Sequence, residues 1–331
     1  MKAFVVREPG SADVIEWPEP TPGPGEILVR PLLDGMCGTD LELIDGSIDP
    51  AYVRYPLVLG HEWVGELVDD PESERAPTMV VVEGVIPCGE CAGCVRGDTN
   101  LCDTYDEIGF TRSGALAELI SVPSSLVHRL VPSVSLEDAV LVEPMAVVWR
   151  ALSRFPLRAG LRVAIVGDGT IALLATYLVR LFSPSRVTVI GRREEQRFLA
   201  LEAGADDFLT ETPDDRFDLV IEAAGNGTAV TSALELCARG AMVILLGLPP
   251  HGTRVEIAPD DLVNDDVVIQ ASFSYTRQSF REVVDRLNAK ELQPSFLITH
   301  RLDLGDATAA VSALRETPGA EPRGKVIVKV R

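Results

Sequence analysis

Lysine is scarce in this chain. Of 331 residues thirty are Lys or Arg, and only four of those are lysines, at 2, 290, 325 and 329, against fifty Asp and Glu. A formal charge of −20 makes the average surface repel phosphate backbones and anionic lipid, so nucleic acid is not an expected partner. Histidine is also rare, with four residues, and aromatics make up 5% of the chain. Long apolar runs are missing. The longest, Val163 to Phe182, is broken by Asp168 and Arg180 and lacks the ~18 uncharged residues of a membrane span. The N-terminal apolar run stops at Arg7, short of the ~7 to 15 residues of a secretory leader. No membrane partner and no export are expected, and the expected location is the cytoplasm. What is present is ordinary for a globular protein: 46% hydrophobic and 24% charged residues, in a length that suggests two domains.

The first ~145 residues read as one β-dominated unit. Runs at Lys2 to Arg7, Ile27 to Leu33, Leu57 to Val68 and Val80 to Ile86 are rich in β-branched residues. The stretch Pro18 to Gly25 interrupts them, because proline removes ladder donors. After Pro132 the character changes. Leu136 to Arg154 has apolar residues at helical spacing, and short apolar strands at Arg162 to Val166, Arg186 to Ile190, Leu219 to Ile221 and Met242 to Leu246 then alternate with helical patterns. The helical patterns lie at Ile171 to Leu181, Glu194 to Ala203 and Thr228 to Ala238. Such alternation predicts βαβ units on a parallel sheet. An amphipathic pattern at Ser279 to Leu292 follows, and the alternating run Gly324 to Val330 has the pattern of a strand that rejoins the first domain.

Six cysteines occur, and four crowd into fifteen positions as Cys88-x2-Cys91-x2-Cys94-x7-Cys102. In a reducing compartment such clustering reads as metal ligation rather than disulfides. Four thiolates close a tetrahedron around zinc and leave no open position, so the reading is a structural zinc site, favoured over an iron–sulfur cluster or unliganded thiols. Cys237 is expected to pack inside a helix of the second domain.

A second constellation is dispersed: Cys37 in the run 35–40, His61 and Glu62 after Gly60, and Glu143 before Pro144. One thiolate, one imidazole and a carboxylate can make an open site whose remaining position takes water or a substrate oxygen. Taken singly, Cys37 suits a small buried hydrophobe, His61 a satisfied core residue and Glu143 a helix-start carboxylate. Asp40 is placed to hold the imidazole tautomer, and Thr39 to hydrogen-bond a reacting hydroxyl. His128, His251 and His300 lie outside this constellation and are expected to be surface or structural.

The third motif follows the strand Val163 to Val166: Gly167, Asp168, Gly169, Thr170, Ile171, Ala172, in the pattern G-x-G-x-x-A. The first glycine permits a tight turn, the second lets a pyrophosphate approach the backbone, and Ala172 keeps the following helix near the strand. Its helix N-terminus then faces phosphate. About 20 residues on, where an NAD-binding chain carries an acid for the ribose 2′-hydroxyl, stands Gly191, followed by Arg192 and Arg193. Two guanidinium groups suit a 2′-phosphate. NADP is therefore expected over NAD, against the alternative that the two arginines only open an exposed helix.

With these residues in view the chain resembles the zinc-dependent medium-chain dehydrogenase/reductase superfamily, in its alcohol, polyol, threonine and sugar dehydrogenase branch. CGTD at 37–40, GHE at 60–62, the cysteine lobe, EP at 143–144, GDGTIALL at 167–174, EAAG at 222–225, LLGLP at 245–249 and ITHRLDL at 298–304 fall in the family's order. The resemblance implies an α/β chain with a GroES-like β-rich catalytic domain at 1–147 and 276–331, carrying a structural zinc lobe at about 86–104. A Rossmann doubly wound domain at 148–275 is inserted in it. It further implies that Cys37, His61 and either Glu62 or Glu143 hold a catalytic zinc, with Thr39 touching the substrate alcohol. Leu246, Gly247, Leu248, Phe273 and Ser274 would line the nicotinamide. The implied function is hydride transfer between NADP(H) and a secondary alcohol or ketone of a polyol, sugar or cyclitol, in a homodimer or homotetramer. Competing readings are an aldose dehydrogenase like the archaeal glucose enzymes, a zinc-free enone or quinone reductase of the superfamily, and a redox-inactive structural relative. Glu42, where many relatives carry His, and Ser274, where polyol enzymes place Arg, depart from the family pattern.

Overall fold

A computed structural model describes residues 1–68, 77–315 and 321–331. The chain divides into two compact units, the first formed by Met1–Ala146, Thr276–Glu316 and Lys325–Arg331, the second by Val147–Tyr275 and Thr317–Gly324. The sequence reading gives 276–331 whole to the first domain, whereas Thr317–Gly324 groups with the second. The reason is polar stitching: Gln196 Nε2 donates to the Arg323 carbonyl at 2.8 Å, Arg323 N donates back to Gln196 Oε1 at 2.7 Å, and Thr170 Oγ1 donates to the Gly324 carbonyl.

The second unit is a six-stranded sheet in the order Asp207–Leu209, Arg186–Ile190, Arg162–Val166, Phe217–Glu222, Cys237–Leu245, Val268–Ala271, with every neighbouring pair parallel. Numbered along the chain this is 3-2-1-4-5-6, the dinucleotide-binding order, with its reversal beside Arg162–Val166. That strand is central and covered on both faces, so it is apolar throughout Val163, Ala164, Ile165 and Val166 instead of alternating. Burying each of the valine and isoleucine side chains contributes about 1.5–3 kcal/mol. Cys237 is the first residue of the fifth strand, not part of a helix: the helix Gly227–Glu235 ends earlier, and Leu236 and Cys237 both pack in the core under the sheet.

The first unit contains a seven-stranded mixed sheet and a three-stranded one. In the larger sheet Glu26–Met36 is the pivot. It pairs antiparallel with Trp63–Leu67 on one side and with the C-terminal strand Lys325–Lys329 on the other. Period-2 alternation would leave Lys325 and Ile327 facing solvent with Lys329, yet both are buried, because helix Ala307–Arg315 and the strands Ile298–Asp303 and Glu26–Met36 surround this strand.

Candidate active site

Register builds the first site. Asp34 pairs with Trp63, and Gly35 N donates to the Glu62 carbonyl at 2.6 Å, so Cys37, just past the end of Glu26–Met36, arrives opposite His61 and Glu62. Cys37 also caps the helix Gly38–Asp45, its N–H donating to Asp40 Oδ2 at 2.8 Å. The other Asp40 oxygen lies 3.5 Å from His61 Nδ1, so one fully buried carboxylate ties the cysteine backbone and orients the imidazole. The opposite ring nitrogen, Nε2, is 3.2 Å from Cys37 Sγ. The Phe110 ring packs on the imidazole with centroids 5.2 Å apart. On the far side of the pivot strand, pairing of Val326 with Met36 sets Lys325 beside Glu62, and Nζ donates to Glu62 Oε2.

Ligand atoms of Cys37, His61 and Glu62 all lie within 4.8 Å of one another. Glu143, in the first turn of helix Val142–Ser153, is outside that group but in its field. Burial first and the Glu62 charge second push its carboxyl up to about 8. Burial also raises the Cys37 thiol and lifts Asp34 well above the carboxylate range. For His61 burial acts downward, but Cys37 and Asp40 outweigh it and carry the imidazole well above its ordinary value. Both oxygens of Asp34 are buried without a hydrogen-bond partner, and Asp40 Oδ1 and His61 Nδ1 have only their mutual 3.5 Å contact. Cys37, His61 and Glu62 converge beside the further buried acids Asp34 and Asp40, and a dication among them would take the place of the protons favoured on Cys37 by burial and on His61 by Cys37 and Asp40. The donor set, one sulfur, one nitrogen and one oxygen, suits zinc. Thr39 lies half-buried in the first turn of helix Gly38–Asp45. Sequence reasoning did not find Lys325 or Asp34. The available signal was a charged residue set in an otherwise apolar strand.

The four clustered cysteines also converge, with all sulfur atoms within 4.8 Å and Cys88 Sγ 3.9 Å from Cys94 Sγ. That spacing matches the ~3.8 Å edge of a tetrahedron with ~2.3 Å zinc–sulfur bonds. Backbone N–H groups of Cys91 and Cys94 point at the sulfurs of Cys88 and Cys91. Hydrogen bonds from the Asp103 and Cys94 backbone hold the Cys91 thiol down to about 6. None of the six cysteines is in a disulfide.

The second unit carries the glycine motif at the C-terminal end of Arg162–Val166. Gly167 has φ 130°, and a Cβ there would sit 3.0 Å from the Ala223 carbonyl carbon. Gly169 is the N-cap of helix Thr170–Val179, and a Cβ built on it meets no protein atom within 4 Å, so the backbone at the helix start is open to approach. Ala172 is fully buried. Gly191 has no room for a side chain: a Cβ would lie 2.6 Å from the Phe208 ring and 2.8 Å from Asp168 Cβ. Glu222 Oε1 accepts from Ala224 N and Gly225 N, and its carbonyl accepts from Leu246 N and Gly247 N, so it ties together two loops past the strand ends. Leu248 and Phe273 are exposed, and Ser274 adopts φ 53°.

Residues 23–133 match the alcohol dehydrogenase GroES-like domain and residues 170–289 the zinc-binding dehydrogenase domain. Over 281 residues the chain is 36% identical to the L-threonine 3-dehydrogenase of Streptomyces coelicolor, an overlap of 78% of this chain and 80% of that one. The chain belongs to the zinc-dependent medium-chain dehydrogenase/reductase superfamily. Among solved structures, a provisionally assigned zinc-binding dehydrogenase of Sinorhizobium meliloti 1021 bound to NADP superposes with a TM-score of 0.90 at 29% identity, covering 99% of both chains. An alcohol dehydrogenase of Escherichia coli CFT073 complexed with NADH also gives 0.90, at 26% identity, covering 100% of this chain and 99% of that one. As a member of this superfamily the chain is an oxidoreductase with a GroES-like and a Rossmann-type part. Among the described residues no helix is long and apolar enough to cross a membrane.

Proposed function

We propose that the chain transfers a hydride between NADP(H) and a secondary alcohol or ketone of a polyol, sugar or cyclitol, using a catalytic zinc. The observation that carries this reading is the convergence of Cys37, His61 and Glu62 within 4.8 Å in a buried, acid-rich setting. Zinc would supply Lewis acidity to the substrate oxygen, and nicotinamide the hydride acceptor. Cys37 and His61 hold the ion together with Glu62 or Glu143, and Asp40 fixes the His61 ring. Lys325 neutralises Glu62 whenever that carboxylate is not a ligand. Thr39 would accept a hydrogen bond from the reacting hydroxyl and relay its proton to solvent by giving up its own. Cys88, Cys91, Cys94 and Cys102 hold a second, structural zinc. Gly167, Gly169, Thr170 and Ile171 receive the pyrophosphate; Gly191 and Arg192 face the adenosine ribose, with Arg193 set beside them. Leu246, Gly247, Leu248, Phe273 and Ser274 line the nicotinamide. Kinship with a threonine dehydrogenase supports a substrate bearing a secondary alcohol. The assembly is a cytoplasmic homodimer or homotetramer.

The test is a panel of polyols, aldoses, cyclitols and L-threonine, each with NADP and NAD, on native and zinc-stripped protein. Turnover of a polyol, sugar or cyclitol that is lost with the metal and returns with zinc is expected. An aldose as best substrate would make the enzyme a sugar 1-dehydrogenase working through the same residues. Undiminished turnover after metal removal, or reduction of enones alone, would reject the reading.

A further inference from the structure

The two arginines after the second strand of the parallel sheet are adjacent in sequence and unlike in structure. Arg193 is largely buried and committed: its Nε and Nη2 donate to Asp168 Oδ1 at 3.2 and 2.8 Å, and Nη2 donates again to the Asp168 carbonyl at 3.1 Å. The second Asp168 oxygen accepts the backbone N–H groups of Arg192 and Arg193 at 2.8 and 3.0 Å. Gln196 Nε2 completes the knot by donating to the Asp168 carbonyl. Arg192 is exposed, and its guanidinium has no hydrogen bond or ion pair among the described residues.

Asp168 sits between the two glycines of the phosphate loop and in contact with position 191, where a ribose-binding acid would stand if a side chain fitted there. It already fills, with its own carboxylate, the backbone donors that a phosphate would otherwise use. Left uncompensated, that charge would repel a 2′-phosphate and offer an acceptor to a ribose hydroxyl. Arg193 cancels it.

We propose that the arginines divide their labour: Arg192 is the side chain that pairs with the 2′-phosphate, while Arg193 is a positioning residue that neutralises Asp168 and fixes the loop. This rests on the NADP reading above and goes beyond it, because sequence alone makes the two arginines equivalent.

The experiment is calorimetric titration of the zinc-loaded protein with 2′,5′-ADP and with 5′-AMP, reading the ratio of the two affinities. Arg192→Ala should lower that ratio by roughly 10- to 100-fold, the worth of a charged hydrogen-bonded contact, whether Asp168 is intact or replaced. Arg193→Ala should also lower it, but adding Asp168→Asn should restore it to within about threefold, since the charge that Arg193 cancels is then gone. Asp168→Asn alone keeps an oxygen for the two backbone donors and should leave 2′,5′-ADP binding as tight or tighter. That single variant keeps the test decisive if Arg193→Ala folds poorly. Weaker 2′,5′-ADP binding in Asp168→Asn, failure of the double variant to recover, or an unaltered ratio in Arg192→Ala would overturn the division of labour. A wild-type ratio near one would overturn the NADP reading itself, and this proposal with it.

Discussion

At the scale of single residues, the first site is a set of groups held against their preferences. The Glu143 carboxyl ordinarily titrates at 4.5 and is pushed up to about 8, by burial and then by Glu62. The folded state therefore binds this proton more tightly than the unfolded chain. In zinc-stripped protein the resulting stability is complete below about 4.5 and is lost as pH rises through 8. Comparing Tm of wild type and Glu143→Gln across that range should show the wild-type advantage shrinking with rising pH. A constant difference would contradict the assignment. Zinc loading should run the opposite way and improve with pH, because the metal competes with protons on Cys37 and His61, both raised in the metal-free site. His61→Ala should lower kcat by about 10³-fold or more, with zinc content reduced by one ion and nucleotide affinity retained, since the residues proposed to bind the nucleotide belong to the other unit. Near-normal turnover without that ion would reject the metal-dependent mechanism. Thr39→Val, which keeps shape and removes the hydroxyl, should cost about 10²-fold in kcat.

At the scale of elements, the cysteine lobe lacks a buried apolar core of its own. Its short helix Ala92–Arg96 exposes Val95, and Leu101 beside it is exposed as well, so N–H···S bonds and the proposed thiolate ligation would have to supply its order. Cys91→Ser should therefore remove one zinc per chain and lower Tm or soluble yield, with activity lost only as the protein unfolds. A variant with full metal content and wild-type Tm would show that the lobe needs no ion. The same scale explains where sequence patterns slip. The apolar run that reads as a helix to Ala238 stops at Glu235, because Leu236 and Cys237 are drawn into the core as the chain turns to enter the fifth parallel strand. Local spacing suits a helix at Cys237. The sheet supplies the partner that decides otherwise.

At the scale of the whole molecule, Met1–Ala146 and the C-terminal segments Thr276–Glu316 and Lys325–Arg331 build one unit, which holds the proposed metal ligands, while the parallel sheet of the other unit carries the glycine motif proposed to bind the nucleotide. An NADP preference in kcat/KM over NAD is expected, and its loss when Arg192 and Arg193 are both changed to Ala would place discrimination at the end of the second strand. Equal efficiency with both cofactors in the wild type would refute it. About two zinc ions per chain should be found by elemental analysis, from the two convergent groups.

Arrangements confined to short spans were legible in the sequence by itself. The parallel-sheet alternation, the glycine motif between strand and helix, and the four-cysteine spacing each lie within a few tens of residues, where local geometry fixes what meets what. The dispersed group at 37, 61, 62 and 143 was only suggested, because nothing in spacing brings residues over a hundred positions apart together. Strand register does: Asp34 against Trp63 and Met36 against Val326 set Cys37, Glu62 and Lys325 at one point. Tertiary structure alone decided that Lys325 would be a buried counter-ion, that Gly191 would have no space for an acid, and that Arg193 would be tied to Asp168 while Arg192 stayed exposed. These outcomes depend on how closely non-neighbouring groups approach and how much water is excluded between them, and packing sets both.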